Sequence, residues 1–260
     1  MVNPKVLVLT GYGINCDEET KFAFEKAGAR ADLVHINDLI ETPNRLEDYQ
    51  IVAFPGGFSY GDDTGSGNAF AWKIRNNLGI ERFVDDKLVI GICNGFQVLV
   101  NLGLLPALNG QRQVALNHND SARYNCRWVD LEFNGNSPWT NGIGRISLPI
   151  AHGEGNFYAS PDVLDQIKRK NLAVTKYVMG EIGKYQNLPA NPNGSLENIA
   201  GITDETGKIF GLMPHPERAI SFTQLPHWTF LREQYRRAGR GIPNDAQGLK
   251  IFENGVKYFE

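Results

Sequence analysis

The sequence predicts an α/β fold, a mostly parallel sheet flanked by helices, with antiparallel strands added. Three observations carry this. The first hundred residues alternate short apolar, β-branched runs with amphipathic stretches, the form that strand and crossover helix take in sequence. The runs themselves, such as Leu88 to Ile92, are apolar throughout, as strands covered on both faces are. Beyond Leu105 the pattern shifts to polar–apolar alternation and hairpin turns, which belong to antiparallel strands. A chain of 260 residues can bury one good core, and we read 1–260 as a single domain with an insertion at 220–245 before a C-terminal helix.

Taken in order, Lys5 to Thr10 (KVLVLT) is the first strand. Asp17 to Ala27 follows as a helix, with an acidic first turn suited to the positive end of its dipole and Gly28 as its stop. Ala31 to Ile36 and Ile51 to Phe54 are strands, Gly67 to Asn77 a helix, and Leu88 to Ile92 the strand that leads into the helix Asn94 to Leu102. Gln113 to Asn117, Tyr124 to Phe133 and Arg145 to Ala151 alternate as strands do. Ser160 to Lys170 is a helix with Ser160 at its cap and Pro161 at its first position. Tyr185 to Ser195 is turn-rich and read as an ordered loop. Ile199 to Thr203 and Lys208 to Met213 are strands joined by the hairpin turn Asp-Glu-Thr-Gly. In such a sheet the loops after Thr10, Phe54 and Ile92 share one rim, beyond the carboxyl ends of the parallel strands, where sites form.

Composition narrows the function. With 42% hydrophobic residues, 21% charged residues and a net charge of −3, the chain has no basic excess to hold nucleic acid. No apolar stretch reaches the length of a membrane span, and the start lacks the pattern of a signal peptide, so the expected location is the cytoplasm. The three cysteines are widely spaced, without a Cys-x-x-Cys, and indicate neither a disulfide framework nor a zinc site.

Cys93 carries the chemistry. It follows a buried strand, precedes a helix and has Gly91 and Gly95 two residues to either side, the layout of a nucleophile elbow. The following helix aims its N-terminal NH groups at the sulfur, which favours thiolate. Taken alone, the same residue would serve equally as a small apolar plug in a strand-to-helix turn. The loop PGGFSYGDDTGSGN after Phe54 holds five glycines but no phosphate-loop ending, and Asp62 and Asp63 would repel phosphate. A loop NH facing Cys93 could complete an oxyanion hole with the NH of Asn94; a plain surface loop is the alternative.

A cysteine nucleophile needs a base and a group to orient it. Among five histidines, His215 has the best local case: it ends an apolar strand, lies between Pro214 and Pro216, and has Glu217 two residues on, on its own side of an extended backbone. His118 and His152 remain as substrate or interface groups; Cys16 and Cys126 read as structural.

With these residues assembled, the chain resembles the triad-type, class I glutamine amidotransferases through Gly91-Ile-Cys-Asn-Gly-Phe-Gln97 and His215-Pro-Glu217. Within them it is similar to the glutaminase subunits of phosphoribosylformylglycinamidine synthase. That match rests on Pro55-Gly-Gly-Phe-Ser-Tyr-Gly-Asp62, His152-Gly-Glu-Gly155, Asn191-Pro-Asn-Gly-Ser195 with Ile199-Ala-Gly-Ile202, and Met213-Pro-His-Pro-Glu-Arg218, in order along the chain. The resemblance implies a flavodoxin-like sheet and a catalytic triad of Cys93, His215 and Glu217. It also implies oxyanion contacts from Asn94 and Gly57, and Gln97 helping to hold L-glutamine. It implies no metal and no cofactor in this chain. A separate synthase subunit would bind ATP and Mg and take the ammonia, with a small third subunit possible. His152 to Gly155 and Asn191 to Ser195 are candidates for the docking face or ammonia exit. The segment Ile220 to Asp245 departs from the pattern in its length. Three alternatives stay open: an amidotransferase subunit serving another acceptor, a free-standing γ-glutamyl cysteine hydrolase, and a non-enzymatic binding module on the same fold, the last made unlike this chain by the three triad residues together.

Overall fold

The computed structural model describes residues 3–260 apart from Ile80, Asp85, Leu108 and the side chain of Glu81. In chain order the strands are β1 (Lys5–Thr10), β2 (Arg30–His35), β3 (Ile51–Phe54), β4 (Leu88–Ile92), β5 (Val114–His118), β6 (Asn125–Phe133), β7 (Arg145–His152), β8 (Glu154–Ala159), β9 (Thr175–Val178), β10 (Ile199–Thr203) and β11 (Ile209–Leu212). The helices are α1 (Asp17–Lys26), α2 (Ile36–Glu41), α3 (Asn68–Asn77), α4 (Asn94–Leu102), α5 (Pro161–Arg169), α6 (Glu181–Gln186), α7 (Trp228–Arg237) and α8 (Leu249–Lys257).

Nine strands form one sheet in the order β2-β1-β3-β4-β11-β10-β9-β6-β7, and β5 pairs with β8 apart from it. Pairing from β2 to β11 is parallel and from β11 to β7 antiparallel. The change occurs at the β10–β11 hairpin, where Gly207 takes the positive φ that its tight turn requires. The expected mixture of parallel core and added antiparallel strands is therefore the observed one.

Helix α4 explains why the sheet centre is dry. All its residues except Asn101 are buried, because it lies between β3, β4, β11, α3 and β5 and has no face turned to water. Its seat depends on absent side chains: a Cβ on Gly95 would stand 1.8 Å from the Phe54 carbonyl oxygen, and one on Gly211 would meet the Phe96 ring at 2.1 Å. On the other helical layer, Phe24 of α1 meets Phe252 of α8 edge to face, 4.9 Å between ring centroids, and Trp139 meets Phe24 edge-on at 6.4 Å. Each such fully buried large side chain contributes roughly 1.5–3 kcal/mol.

The loops after β1 and β3 are tied together, as the shared rim requires. Gly56 O accepts from Cys16 N at 3.2 Å, and Phe58 N donates to Gly13 O at 2.8 Å. Strands β8 and β9 and the short helices α2 and α6 have no counterpart in the sequence reading. Four residues (Thr175–Val178) or a Gly–Asn pair inside a strand (EGNFYA) leave too short a periodicity to detect. Tyr185 belongs to the end of α6 rather than to the loop that follows. Ser160 occupies the N-cap of α5, but its hydroxyl makes no capping bond. In the 220–245 segment, α7 has no buried residue, and a bridge between Ser221 and Asp245 closes the base of the excursion. No helix among the described residues is long and apolar enough to cross a membrane.

Candidate active site

Cys93 sits between the last residue of β4 and the first of α4, at φ +52° and ψ −105°, a conformation that L-residues rarely adopt. Its neighbours hold it there. Cys93 N donates to Leu212 O at 2.8 Å, anchoring the turn to β11. Gly91 and Gly95 lack the Cβ atoms that would collide, at 2.6 Å with Leu99 and 1.8 Å with Phe54. The elbow predicted from the two glycines is thus present, and its strain is local and overdetermined.

His215 follows β11, and its backbone N–H donates to Pro149 O at 2.8 Å. Its Nδ1 lies 2.6 Å from Glu217 Oε1, with both side chains buried. The contact is as expected but the backbone is not. Pro216–Arg218 form a single 3-10 turn rather than extended chain, so the carboxylate reaches the ring by curling back towards it. Burial alone would push the imidazole pKa down; the Glu217 carboxylate and the Cys93 sulfur outweigh it and hold His215 well above its ordinary range.

Gly57, Cys93, Gln97 and His152 line one cavity, with Phe58 and Tyr124 at its side. Gly57 has φ +150°, and a Cβ there would lie 2.7 Å from Gly13 O. Asn94 is the first residue of α4, so its N–H has no intrahelical acceptor. The Gln97 side chain is committed within the protein: its Oε1 accepts from Asn94 Nδ2 at 3.0 Å and its Nε2 donates to Glu154 O at 2.6 Å. The acidic edge of the cavity comes from Asp62, whose pKa burial raises, and Glu154, whose Oε2 accepts from Ser66 N at 3.3 Å.

Some neighbours were not legible in the sequence. Cys16 is 1% exposed and belongs to the immediate surroundings of His215, and Arg218 Nη2 approaches its sulfur at 3.1 Å. Burial pushes this thiol up. The only available signal was position, since Cys16 lies in the loop after β1 on the shared rim. Cys16, His215 and Glu217 bring ligand atoms within 4.8 Å of one another, the one such group found among the described residues. Within this group Nδ1 of His215 is bound to Glu217, and the Arg218 guanidinium stands on the Cys16 sulfur.

The remaining histidines separate by location. His118 is exposed, 3.6 Å from Glu154, at the cavity margin. His35 caps α2 and His227 sits at the start of α7. The two stretches His152 to Gly155 and Asn191 to Ser195 meet each other: buried Asn193 donates from Nδ2 to Gly155 O at 2.8 Å.

The family model of the CobB/CobQ-like glutamine amidotransferase domain matches residues 3–259. The chain belongs to this glutamine amidotransferase family. Among curated relatives, it is 51% identical over 268 residues to phosphoribosylformylglycinamidine synthase subunit PurQ of Methanococcus maripaludis, covering 99% of this chain and 98% of that one. It is 45% identical to the subunit of the same name from Dehalococcoides mccartyi, with 99% and 98% covered. Among solved structures, a chain of PurLQS from Thermotoga maritima superposes with a TM-score of 0.74 at 32% identity, covering 100% of both chains. A glutamine amidotransferase nucleophile must attack a carboxamide and expel ammonia; an elbow cysteine beside a buried His–Glu pair has the parts for that acyl transfer.

Proposed function

We propose that this chain is the glutaminase subunit of a phosphoribosylformylglycinamidine synthase, an ATP-dependent ligase of purine biosynthesis, and that Cys93, His215 and Glu217 are its catalytic triad. The observation that carries the triad is the buried His215–Glu217 pair, 2.6 Å apart, just beyond the end of β11, the strand that pairs with β4 leading into the Cys93 elbow.

Cys93 passes its thiol proton to His215 as the sulfur bonds to the side-chain amide carbon of L-glutamine, and the carbonyl electrons move to oxygen. The backbone N–H groups of Asn94 and Gly57 stabilise that oxyanion. When the carbonyl re-forms, the C–N bond breaks and the nitrogen takes a proton from His215, leaving as ammonia. His215 then takes a proton from water as its oxygen bonds to the thioester carbon, and collapse expels the sulfur to give glutamate. Glu217 orients the imidazole through Nδ1 and balances its charge. Gln97 acts from behind, holding Asn94 and the Glu154 loop around the substrate.

The ammonia is used elsewhere. Relatives of this chain are named as synthase subunits, and the structural neighbour is part of PurLQS. We therefore assign it a synthase subunit as partner, with a small third subunit, and place ATP and Mg in the synthase subunit rather than here. We read the chain as one catalytic domain that binds no cofactor or metal, acting in the cytoplasm.

The test is the glutaminase rate of the purified chain, alone and with the synthase subunit and its nucleotide substrates. The expected outcome is a low rate alone, a rise on assembly and loss in Cys93→Ala. Strong hydrolysis of γ-glutamyl compounds without any partner would replace this reading with a free-standing hydrolase.

A further inference from the structure

The turn that carries Glu217, Pro216–Arg218, is a single 3-10 turn, and its own bonds are long or few. Arg218 N donates to His215 O at 3.3 Å and Ala219 N to Pro216 O at 3.0 Å. So short a turn does not hold itself rigid. The Glu217 carboxylate does not hold it either: Oε1 meets His215, while Oε2 is buried with no hydrogen-bond partner among the described residues. Where that carboxylate stands, and with it the imidazole, depends on what fixes the backbone of the turn.

Its neighbours on two sides supply that. Gly248 packs against it so closely that a Cβ there would lie 2.5 Å from Pro216 O. On the other side the Arg218 side chain reaches α1. Its Nε donates to Glu19 Oε2 at 2.8 Å, and its Nη2 to Glu19 Oε1 at 3.4 Å and to the Cys16 sulfur at 3.1 Å. Burial opposes the charge of this guanidinium, but the bonds from Glu19 and the carboxylates of Glu19 and Glu217 outweigh it and raise the Arg218 pKa. The sulfur is prepared to receive the guanidinium. Burial pushes the Cys16 thiol up, so it keeps its proton and offers it to Asn15 Oδ1 at 3.3 Å, leaving sulfur lone pairs for Nη2–H. Cys16 is tied in turn by its backbone N–H to Gly56 O at 3.2 Å, next to Gly57. One side chain thus joins the turn of the base to the first turn of α1 and, through Cys16, to the loop that carries Gly57.

We propose that Arg218 is a positioning residue of the glutaminase: bound to Glu19 and Cys16, it holds the turn that keeps the Glu217 carboxylate on Nδ1 of His215. This rests on the glutaminase reading above. Arg218 is not among the residues that line the Cys93 cavity, so its effect passes through Glu217. A planar fork suits the task, because one group must serve a carboxylate and a sulfur at once; the point charge of a lysine serves one of them.

The experiment uses the assembled complex with the synthase subunit in excess, and follows kcat, KM and the pH–rate profile for L-glutamine. Arg218→Gln is expected to lower kcat roughly 10- to 50-fold with KM changed less than about 3-fold. Its alkaline limb is expected to move to lower pH, because a displaced Glu217 no longer raises the His215 pKa. Glu19→Gln should shift the limb the same way with a smaller loss, and Arg218→Lys should recover part of the rate. Glu19→Gln also carries the test if Arg218→Gln does not fold, since the Glu19 side chain is 42% exposed. Because both act through one carboxylate, Glu217→Gln with Arg218→Gln should be within about 3-fold of Glu217→Gln alone. An unmoved limb in both Arg218→Gln and Glu19→Gln, a double variant that loses the product of the two single losses, or a raised KM with kcat unchanged would overturn the proposal. Failure of the glutaminase reading looks different: the Cys93→Ala complex would keep its rate.

Discussion

His215 Nδ1 and Glu217 Oε1 are 2.6 Å apart, both buried, across one 3-10 turn. A contact so short, between residues two apart, fixes the imidazole and sets its tautomer: Nδ1–H faces the carboxylate, and Nε2 is the nitrogen left without the proton. The charge of Glu217 also raises the His215 pKa against the effect of burial.

Glu217→Gln keeps an oxygen near Nδ1 but removes the charge. We expect kcat for glutamine in the complex to fall roughly 10²- to 10⁴-fold. Since the carboxylate raises the His215 pKa, its loss lets the imidazole deprotonate at lower pH, and the alkaline limb of the pH–rate profile should move down. An unmoved limb would count against Glu217 as the partner.

At φ +52°, position 93 inverts the usual rule that alanine is better than glycine. Cys93→Gly and Cys93→Ala should both be inactive, yet the glycine variant should be the more stable by about 1 kcal/mol, because it alone adopts this backbone without strain. Denaturant melts of the two variants decide it; a more stable alanine variant would mean that the elbow is unstrained.

Two glycines separate folding from catalysis. A Cβ at Gly56 would lie 2.8 Å from His215 Cε1 and 3.1 Å from the Cys16 sulfur, atoms that can shift at the expense of the base. Gly56→Ala should therefore fold and lose at least roughly 10-fold in kcat. A Cβ at Gly95 would lie 1.8 Å from the backbone of Phe54, which cannot yield. Gly95→Ala should lose more than about 3 kcal/mol of stability or fail to accumulate, by overpacking.

His152 has a pH signature. Its folded pKa is depressed to about 3 from an unfolded value near 6.5, so below pH 6.5 the unfolded chain binds a proton that the native chain does not. Stability should then fall with pH between about 6.5 and 3, by up to roughly 1.4 kcal/mol per unit from this group. His215, whose pKa is raised, acts in the opposite sense and above 6.5: its contribution is complete below that pH and is lost as pH rises through its folded value. Unfolding measured from pH 7 to 4 should show a shallower acid slope in His152→Gln than in the native chain.

Much of this was legible in the chain. β4 and α4 fall on the predicted residues, Leu88–Ile92 and Asn94–Leu102, because an uninterrupted apolar run, a cysteine between glycines and a helical repeat admit one local arrangement. The His215–Glu217 contact was legible too, being only two residues long. The turn that makes it was misjudged as extended because Pro216 suits either backbone. Strands β8 and β9 were not legible, since their pairing with β5, β6 and β10 rather than their own composition makes them strands.

The sequence by itself determined the parallel core, the elbow at Cys93 and the pairing of His215 with Glu217, since each depends on propensity, pattern or spacing within a few residues. Only the tertiary structure decided what surrounds them. Cys16 meets Arg218 across 202 positions of chain, and Asn119 meets His152 across 33. Such contacts depend on which strands lie side by side in the sheet. That order is settled by the burial of whole faces, and no short stretch of sequence records it.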